Sequence, residues 1–405
     1  MSDNESIHFS TDEAILLSPG RECFSPKHPR LRALNTIITN EGTLAEAASS
    51  GIFSVHPDDL ILYYGVNGPN SKPDRIDFMS HTDGEIQRLF QACEPATFGC
   101  NQQDVFNKSY RKAGKLDRRS FASTFDPDRS GLMRSISDVL LQGHGPRTML
   151  RTELHKLNVY DKSRSSPGLF FKAHKDTMRA ENMMRSLVVM LPTQHKGGTF
   201  VLHHHGQELK FDSSEAFSQV SSTSVAFSAF YGDVEHKVEP VQSGYWVTLT
   251  YNLYMVSSKN KGAPESTPFE EALKEAFNAL LNDANYLSGS GHIGFGLRHE
   301  YVVYDDPFVF QESLNAFFDL LSGALKGKDA VLAKVCRDLG LKVTLQMIYH
   351  GDWEMIVMCP WVAGSECYED EYPLDHLHKF YYGKVISVNR EWHDSENILK
   401  RDLAV

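Results

Sequence analysis

The chain has 405 residues, 41% of them hydrophobic and 23% charged, which is enough apolar mass for one large domain or two with ample core. With 52 Asp and Glu against 41 Lys and Arg the formal net charge is −11, which excludes the basic electrostatic footprint of a nucleic-acid-binding surface. The N-terminus, Met1-Ser2-Asp3-Asn4-Glu5, is acidic and polar, and no apolar run reaches the roughly 18 residues of a membrane span. The expectation is therefore an intracellular, cytoplasmic chain without signal peptide or membrane contact. Its six cysteines (Cys23, Cys93, Cys100, Cys336, Cys359 and Cys367) include no C-x-x-C pair and read as reduced thiols.

Residues 1–30 mix Ser, Pro, Asp and Glu with few periodic apolar positions and read as a loosely ordered N-terminus. From Pro29 to Ser50 the spacing of Leu31, Leu34, Ile37, Ile38, Leu44 and Ala47 predicts a helix, and Leu60–Tyr64 a strand extending the main sheet. Residues 81–150 read as predominantly helical, with Thr82 or Asp83 as N-cap of a helix carrying Ile86, Leu89, Phe90 and Cys93. Between Asn107 and Arg119 six basic residues, Lys108, Arg111, Lys112, Lys115, Arg118 and Arg119, surround Tyr110. On an acidic chain such a cluster either guides an anionic substrate or, more ordinarily, forms a solvated helix face. Met133–Leu141 predicts a helix ending at the Gly143-His144-Gly145-Pro146 break.

Strands and turns then alternate: Leu157–Tyr160, Leu169–Ala173, Leu187–Leu191, Thr199–Leu202, Leu209–Phe211, Val225–Phe230 and Trp246–Leu253, with hairpins at Gly197-Gly198 and Ser243-Gly244. His203-His204-His205 is read as a hairpin tip, because neighbouring side chains on a strand point to opposite faces. Phe211–Ser224, with six serines, reads as an exposed connecting loop. Beyond a polar linker at Ser258–Gly262, Thr267 caps a helix that starts at Pro268 and carries the stripe Phe269, Leu273, Ala276, Phe277, Leu280 and Leu281. Further strands (Tyr301–Tyr304, Leu341–His350, Met355–Met358) and helices (Ser313–Ala324, Ala330–Leu339) complete an α+β extension.

His-x-Asp occurs four times, at His56, His81, His174 and His350. As a short motif it is weak. The copy at His174-Lys175-Asp176 differs by its setting: an apolar strand leads into it, and further strands separate it from His236. Two imidazoles and one carboxylate on a sheet form the facial triad that holds Fe(II) with open positions for a co-substrate and O2. Buried, hydrogen-bonded polar residues are the plainer account of the same three.

Several blocks resemble the 2-oxoglutarate and Fe(II)-dependent oxygenases of the prolyl 4-hydroxylase-like type, in particular the long fungal members. They are Ser109–Asp117, Phe170–Thr177, Leu187–Pro192, Gly197-Gly198, Phe230–His236 and Val238–Leu253. The resemblance covers about Phe98 to Tyr254. It implies a double-stranded β-helix (jelly-roll) core within an α+β chain, His174, Asp176 and His236 as iron ligands, and Fe(II), 2-oxoglutarate and O2 as cofactors. The chain then divides into a loose N-terminus (1–30), a mainly helical support region (31–150), the oxygenase core (151–256) and a C-terminal α+β extension (257–405). The substrate is a small molecule or a protein side chain, with no nucleic acid or membrane partner.

One departure stands out. Ten positions after the distal His the family usually carries an Arg or Lys for the far carboxylate of 2-oxoglutarate, and here that residue is Trp246. Trp offers one N–H and no charge. Three readings follow: another cation replaces it, with Arg185 and Lys172 as candidates; the metal is kept but a different acid, or the substrate itself, fills the site, an Fe(II) oxidase that does not use 2-oxoglutarate being one such case; or the chain is a non-catalytic metal- or ligand-binding relative. Thr248, on the same strand face as Trp246, and Tyr160, in the strand before His174, match the family's hydroxyl partners of that carboxylate.

Overall fold

The computed structural model describes residues 14–17, 29–39, 44, 47–65, 72–95, 98–100, 103–105, 113–161, 171–175, 183–220, 223–257, 266–283, 293–304, 321–350, 356–359 and 384–387. They fall into two compact units, residues 41–264 and residues 1–40 with 265–405. The second unit joins the two ends of the chain through β1 (Ala14–Leu17) and α1 (Pro29–Thr39). Leu31, Leu34 and Ile38 of α1 are buried in one cluster with Leu273, Phe277 and Leu280. That shared stripe is why α1 leaves the segment 31–150 with which the sequence groups it.

The unit 41–264 begins with β2 (Ala48–Ser54), β3 (Ile61–Tyr64), β4 (Asp74–Asp77) and α2 (Asp83–Ala92). Then come β5 (Glu94–Pro95), β6 (Phe98–Cys100), β7 (Gln103–Val105), β8 (Gly114–Asp117) and β9 (Phe121–Ser123). The expectation of a mainly helical region over 31–150 is thus corrected: short runs rich in aromatic and β-branched residues find pairing partners, and that overrides weak helical periodicity. Of the helix expected from Pro29 to Ser50, α1 covers Pro29–Thr39 and Leu44 and Ala47 are again helical, but Ala48–Ser54 is a strand that pairs with one about 170 residues on. β3 does not extend the main sheet but sits between β4 and β9 in a sheet of its own. The α2 helix starts where expected, on a capping box in which Glu85 Oε2 accepts from the Thr82 N–H at 2.7 Å. After α3 (Pro127–Ser130), α4 (Leu132–Leu140) buries Leu132, Met133, Ile136 and Leu140.

The core strands follow: β10 (Thr148–Asp161), β11 (Phe171–His174), β12 (Met183–Met190), β13 (His195–Gly197), β14 (Phe200–His204) and β15 (Gln207–Phe211). After α5 (Ser213–Ser218) come β16 (Ser224–Tyr231), β17 (Glu235–Val238) and β18 (Val241–Ser257). They form an antiparallel eight-stranded sheet, β2-β16-β12-β18-β10-β8-β5 with β13 also on β18, and a four-stranded sheet, β11-β17-β14-β15. Phe230 of the large sheet lies 5.7 Å from Phe200 of the small one, ring centre to ring centre, so the two sheets face each other. This is a double-stranded β-helix.

Register assigns every residue of the large sheet to a face. Leu187, Val189, Leu249, Tyr251, Leu157 and Leu116 share one face. Tyr231 and Tyr251 on that face donate to the carbonyls of Leu140 and Phe125, so it is the side covered by α4. The opposite face carries Phe230 and therefore looks toward the small sheet. It holds Ser186, Ser228, Thr248, Thr250, Asn252 and Asn158. The polar side chains of this sheet thus turn inward, among Phe230, Val188 and Met190, where a half-exposed sheet would turn them to solvent.

Ser243-Gly244 makes no hairpin but lies inside β18, where Gly244 pairs with His195. Gly244 has φ 71°, and a Cβ there would sit 2.0 Å from the Gln194 carbonyl oxygen. Gly244→Ala should therefore cost more than the roughly 1 to 3 kcal/mol of left-handed backbone alone, read as a lower urea midpoint at unchanged slope. His205 (φ 47°) and Gly206 (φ 76°) form the two-residue turn between β14 and β15, in keeping with a hairpin tip.

In the other unit, α6 (Pro268–Leu281) is capped by Thr267, whose hydroxyl accepts from Glu270 N at 3.2 Å. β19 (Tyr301–Tyr304) pairs with β1; α7 (Gly327–Asp338), β20 (Met347–His350), β21 (Ile356–Cys359) and β22 (Lys384–Ser387) follow. Among the described residues no helix is long and apolar enough to cross a membrane.

Candidate metal centre and ligand chamber

β11 and β17 are antiparallel neighbours in the small sheet, and their register sets His174 directly opposite His236. The two ring centres are 4.1 Å apart. His236 is 6% exposed and packs against Phe230 and Phe200, at 4.7 and 5.9 Å between ring centres. Its Nδ1 lies 3.4 Å from the Val234 carbonyl oxygen, a long contact in which the ring can only donate. His174 is half-buried. Asp176, the third expected ligand, lies outside the described residues. Two imidazoles brought side by side on a rigid sheet suit a divalent transition metal such as Fe(II).

Trp246 is 1% exposed, sits opposite Tyr160, and stacks on it at 4.9 Å between ring centres. Its indole N–H donates to Ser213 Oγ at 3.0 Å, and Ser213 in turn contacts His195 Nε2 at 3.1 Å. His195 Nδ1 donates to the Thr193 carbonyl at 2.8 Å, so Nε2 accepts the Ser213 hydroxyl proton. The chain of donors runs one way, from Trp246 through Ser213 to a neutral His195. Ser213 heads α5, whose N-cap Asp212 accepts from Ser214 and Glu215 backbone N–H. This corrects the expectation of an exposed loop over Phe211–Ser224: an Asp-led serine run supplies its own helix cap.

Burial pushes the His195 pKa below its ordinary value, against a smaller upward pull from the Thr193 carbonyl and Asp212. A histidine held neutral in the fold favours the folded state fully above its unfolded pKa near ~6.5 and loses that contribution as pH falls toward the depressed folded value. Stability should decline at up to about 1.4 kcal/mol per pH unit through that window. Urea midpoints measured from pH 7.5 to pH 5 check this, with His195→Gln expected to flatten the profile.

Thr248 is buried between Asn158 and Met190, its register partners on β10 and β12. Tyr160 and Thr248 both belong to the inner rows. The backbone of Arg185 pairs with Tyr231 and Leu253, and its side chain lies outside the described positions. Lys172 is in β11, and its side chain lies outside the described positions. Asn158, Ser213 and His195 carry no motif in the sequence; the one signal of inward polar rows is the alternation Val247-Thr248-Leu249-Thr250-Tyr251-Asn252-Leu253, which ordinarily assigns the polar side to solvent.

No family model matches the sequence, and no curated protein matches it. Solved structures with a similar chain path include a prolyl-4-hydroxylase from Pseudomonas putida, at 16% identity over 56% of this chain and 98% of that one, with a TM-score of 0.29. A 2OG-Fe(II) oxygenase family oxidoreductase from Burkholderia pseudomallei has 16% identity over 45% and 80%, with a TM-score of 0.24. A prolyl hydroxylase from Trichoplax adhaerens, solved with a hypoxia inducible factor oxygen degradation domain peptide, has 12% identity over 58% and 96%, with a TM-score of 0.32.

Proposed function

We propose that this chain is a non-haem Fe(II) oxygenase that uses 2-oxoglutarate and O2 to oxidise a small molecule or a protein side chain. The observation that carries the reading is the facing pair His174 and His236, 4.1 Å apart between ring centres inside the two-sheet core. In this reading His174, His236 and Asp176 hold the metal, and the bound iron supplies the activation of O2. A donor bond from Nδ1 to the Val234 carbonyl would make Nε2 the coordinating nitrogen of His236, and Phe200 and Phe230 exclude water from its flank. The inner rows of Asn158, Thr248 and Thr250 provide polar partners for a bound acid, with Asn158 Nδ2 already donating to Thr250 Oγ1 at 3.2 Å.

A second reading, an Fe(II) oxidase that takes its electrons from the substrate, is favoured by Trp246. Its N–H serves Ser213, so this position offers nothing to an anion. Anaerobically reconstituted protein, given 2-oxoglutarate and then O2, separates the two. Succinate and CO2 release supports the first reading, and O2 uptake without succinate supports the second. Neither signal across a panel of candidate substrates rejects both.

A further inference from the structure

We propose that His195 takes up a proton as the distal carboxylate of 2-oxoglutarate binds beside Trp246, and that this proton supplies the positive charge Trp246 cannot. The proposal rests on the function given above and deepens it. It starts from three buried side chains joined by hydrogen bonds. Trp246 Nε1–H donates to Ser213 Oγ at 3.0 Å, and Ser213 Oγ lies 3.1 Å from His195 Nε2. They come from three elements: His195 of β13 stands opposite Gly244 of β18, two residues before Trp246, and Ser213 opens α5. All three residues are at least nine-tenths buried.

The direction of this chain depends on one proton. With Nδ1–H held by the Thr193 carbonyl at 2.8 Å, a neutral His195 has only a lone pair at Nε2, which takes the Ser213 hydroxyl proton. Every donor is then spent inside the chain, and the chamber is offered none. A protonated His195 donates from both nitrogens. Ser213 Oγ then accepts from Trp246 and His195 together, and its own proton needs a new acceptor. A carboxylate in the inner rows beside Trp246 is such an acceptor, and it meets a cation one serine away.

The surroundings of His195 set its resting state. Burial holds its pKa below the ordinary value, so an empty chamber keeps it neutral near pH 7. Asp212, at the head of α5, is the charged group that pulls the other way, and its Oδ1 is committed to the N–H groups of Ser214 and Glu215. Lys196 on β13 and Glu215 on α5 are exposed. On β10, Tyr160 stacks on Trp246, while Asp161 stands opposite Tyr245 in a row of the other face. A carboxylate brought to Trp246 adds the attraction that favours the proton. By reciprocity the proton tightens the carboxylate by the same factor.

The test is titration calorimetry from pH 8 to pH 6 on the full chain loaded with Mn(II), using 2-oxoglutarate and 2-oxopentanoate, which has a methyl where the distal carboxylate was. Both acids present the same keto-acid end to the metal, so the ratio of their affinities cancels any titration of the metal ligands. Mn(II) binding is followed separately by the loss of its free-ion electron paramagnetic resonance signal. The wild-type preference for 2-oxoglutarate should grow about 10-fold as pH falls from 8 to 6, within the range usual for coupled sites. Repeating the titration in buffers of different ionisation heat should show a fraction of a proton taken up with 2-oxoglutarate and none with 2-oxopentanoate. His195→Gln should hold the ratio flat, and Ser213→Ala, the smaller change, should lose most of the growth. A wild-type preference that does not vary with pH overturns the proposal, as does growth that survives His195→Gln, or Ser213→Ala if the first variant does not fold. A chain that takes up Mn(II) but neither acid rejects the co-substrate given above, and one that takes up no Mn(II) rejects the metal assignment; the proposal falls with either.

Discussion

Replacing His236 with Ala should lower the affinity for Fe(II), or for Mn(II) as its redox-stable substitute, by at least about 100-fold. Changes to groups that merely hold a ligand in place already cost 10- to 100-fold, and His236 would be a ligand itself. Its ring is wedged against Phe230 and Phe200, so the Ala variant also leaves a void, and a metal effect has to be separated from a folding effect. His236→Gln keeps most of the volume and should lose the metal with a smaller drop in melting temperature. His174 is half-buried rather than buried, so His174→Ala should show comparable metal loss with little loss of stability. Equal metal affinity in wild type and both His variants, measured by equilibrium dialysis, would remove these residues from any metal site.

The second large effect belongs to Trp246. As a side chain 1% exposed, stacked on Tyr160 and hydrogen-bonded to Ser213, it should cost about 3 to 5 kcal/mol when cut to Ala. The indole also lies over Gly198, where an added Cβ would come within 3.5 Å of its Cγ, so the cavity is bounded by backbone that cannot collapse far. Trp246→Phe keeps the ring and removes the donor, and should cost about 1 kcal/mol. Trp246→Arg would bring a charge into a site built for a neutral donor, and the penalty for a poorly paired buried charge is about 3 to 5 kcal/mol. Urea unfolding of the three variants gives the ranking directly. If Phe and Ala proved equally mild, the indole would be a bystander to the fold and free to meet a ligand.

The sequence carried the core strands because each is short, apolar and bounded by turn residues. It also carried the pairing of His174 with His236, because the one His-x-Asp copy set behind an apolar strand is the one that reaches β11. Thr82 and Thr267 announced their helices by local chemistry alone, and both cap as expected. What was not legible depended on partners far along the chain. Ala48–Ser54 has apolar residues at nearly helical spacing just before it, and only β16, about 170 residues on, makes it a strand. The inward turn of the polar side chains of the large sheet hid the chamber most effectively, since alternating Thr and Asn in a strand normally marks the wet side.

The most direct measurement of the central claim is pulsed electron paramagnetic resonance on the Mn(II)-loaded chain, which counts imidazole nitrogens bonded to the metal. The expected result is coupling to two nitrogens in the wild type and to one in each of His174→Gln and His236→Gln. Bound Mn(II) with no imidazole coupling, or with coupling that neither substitution changes, would contradict it.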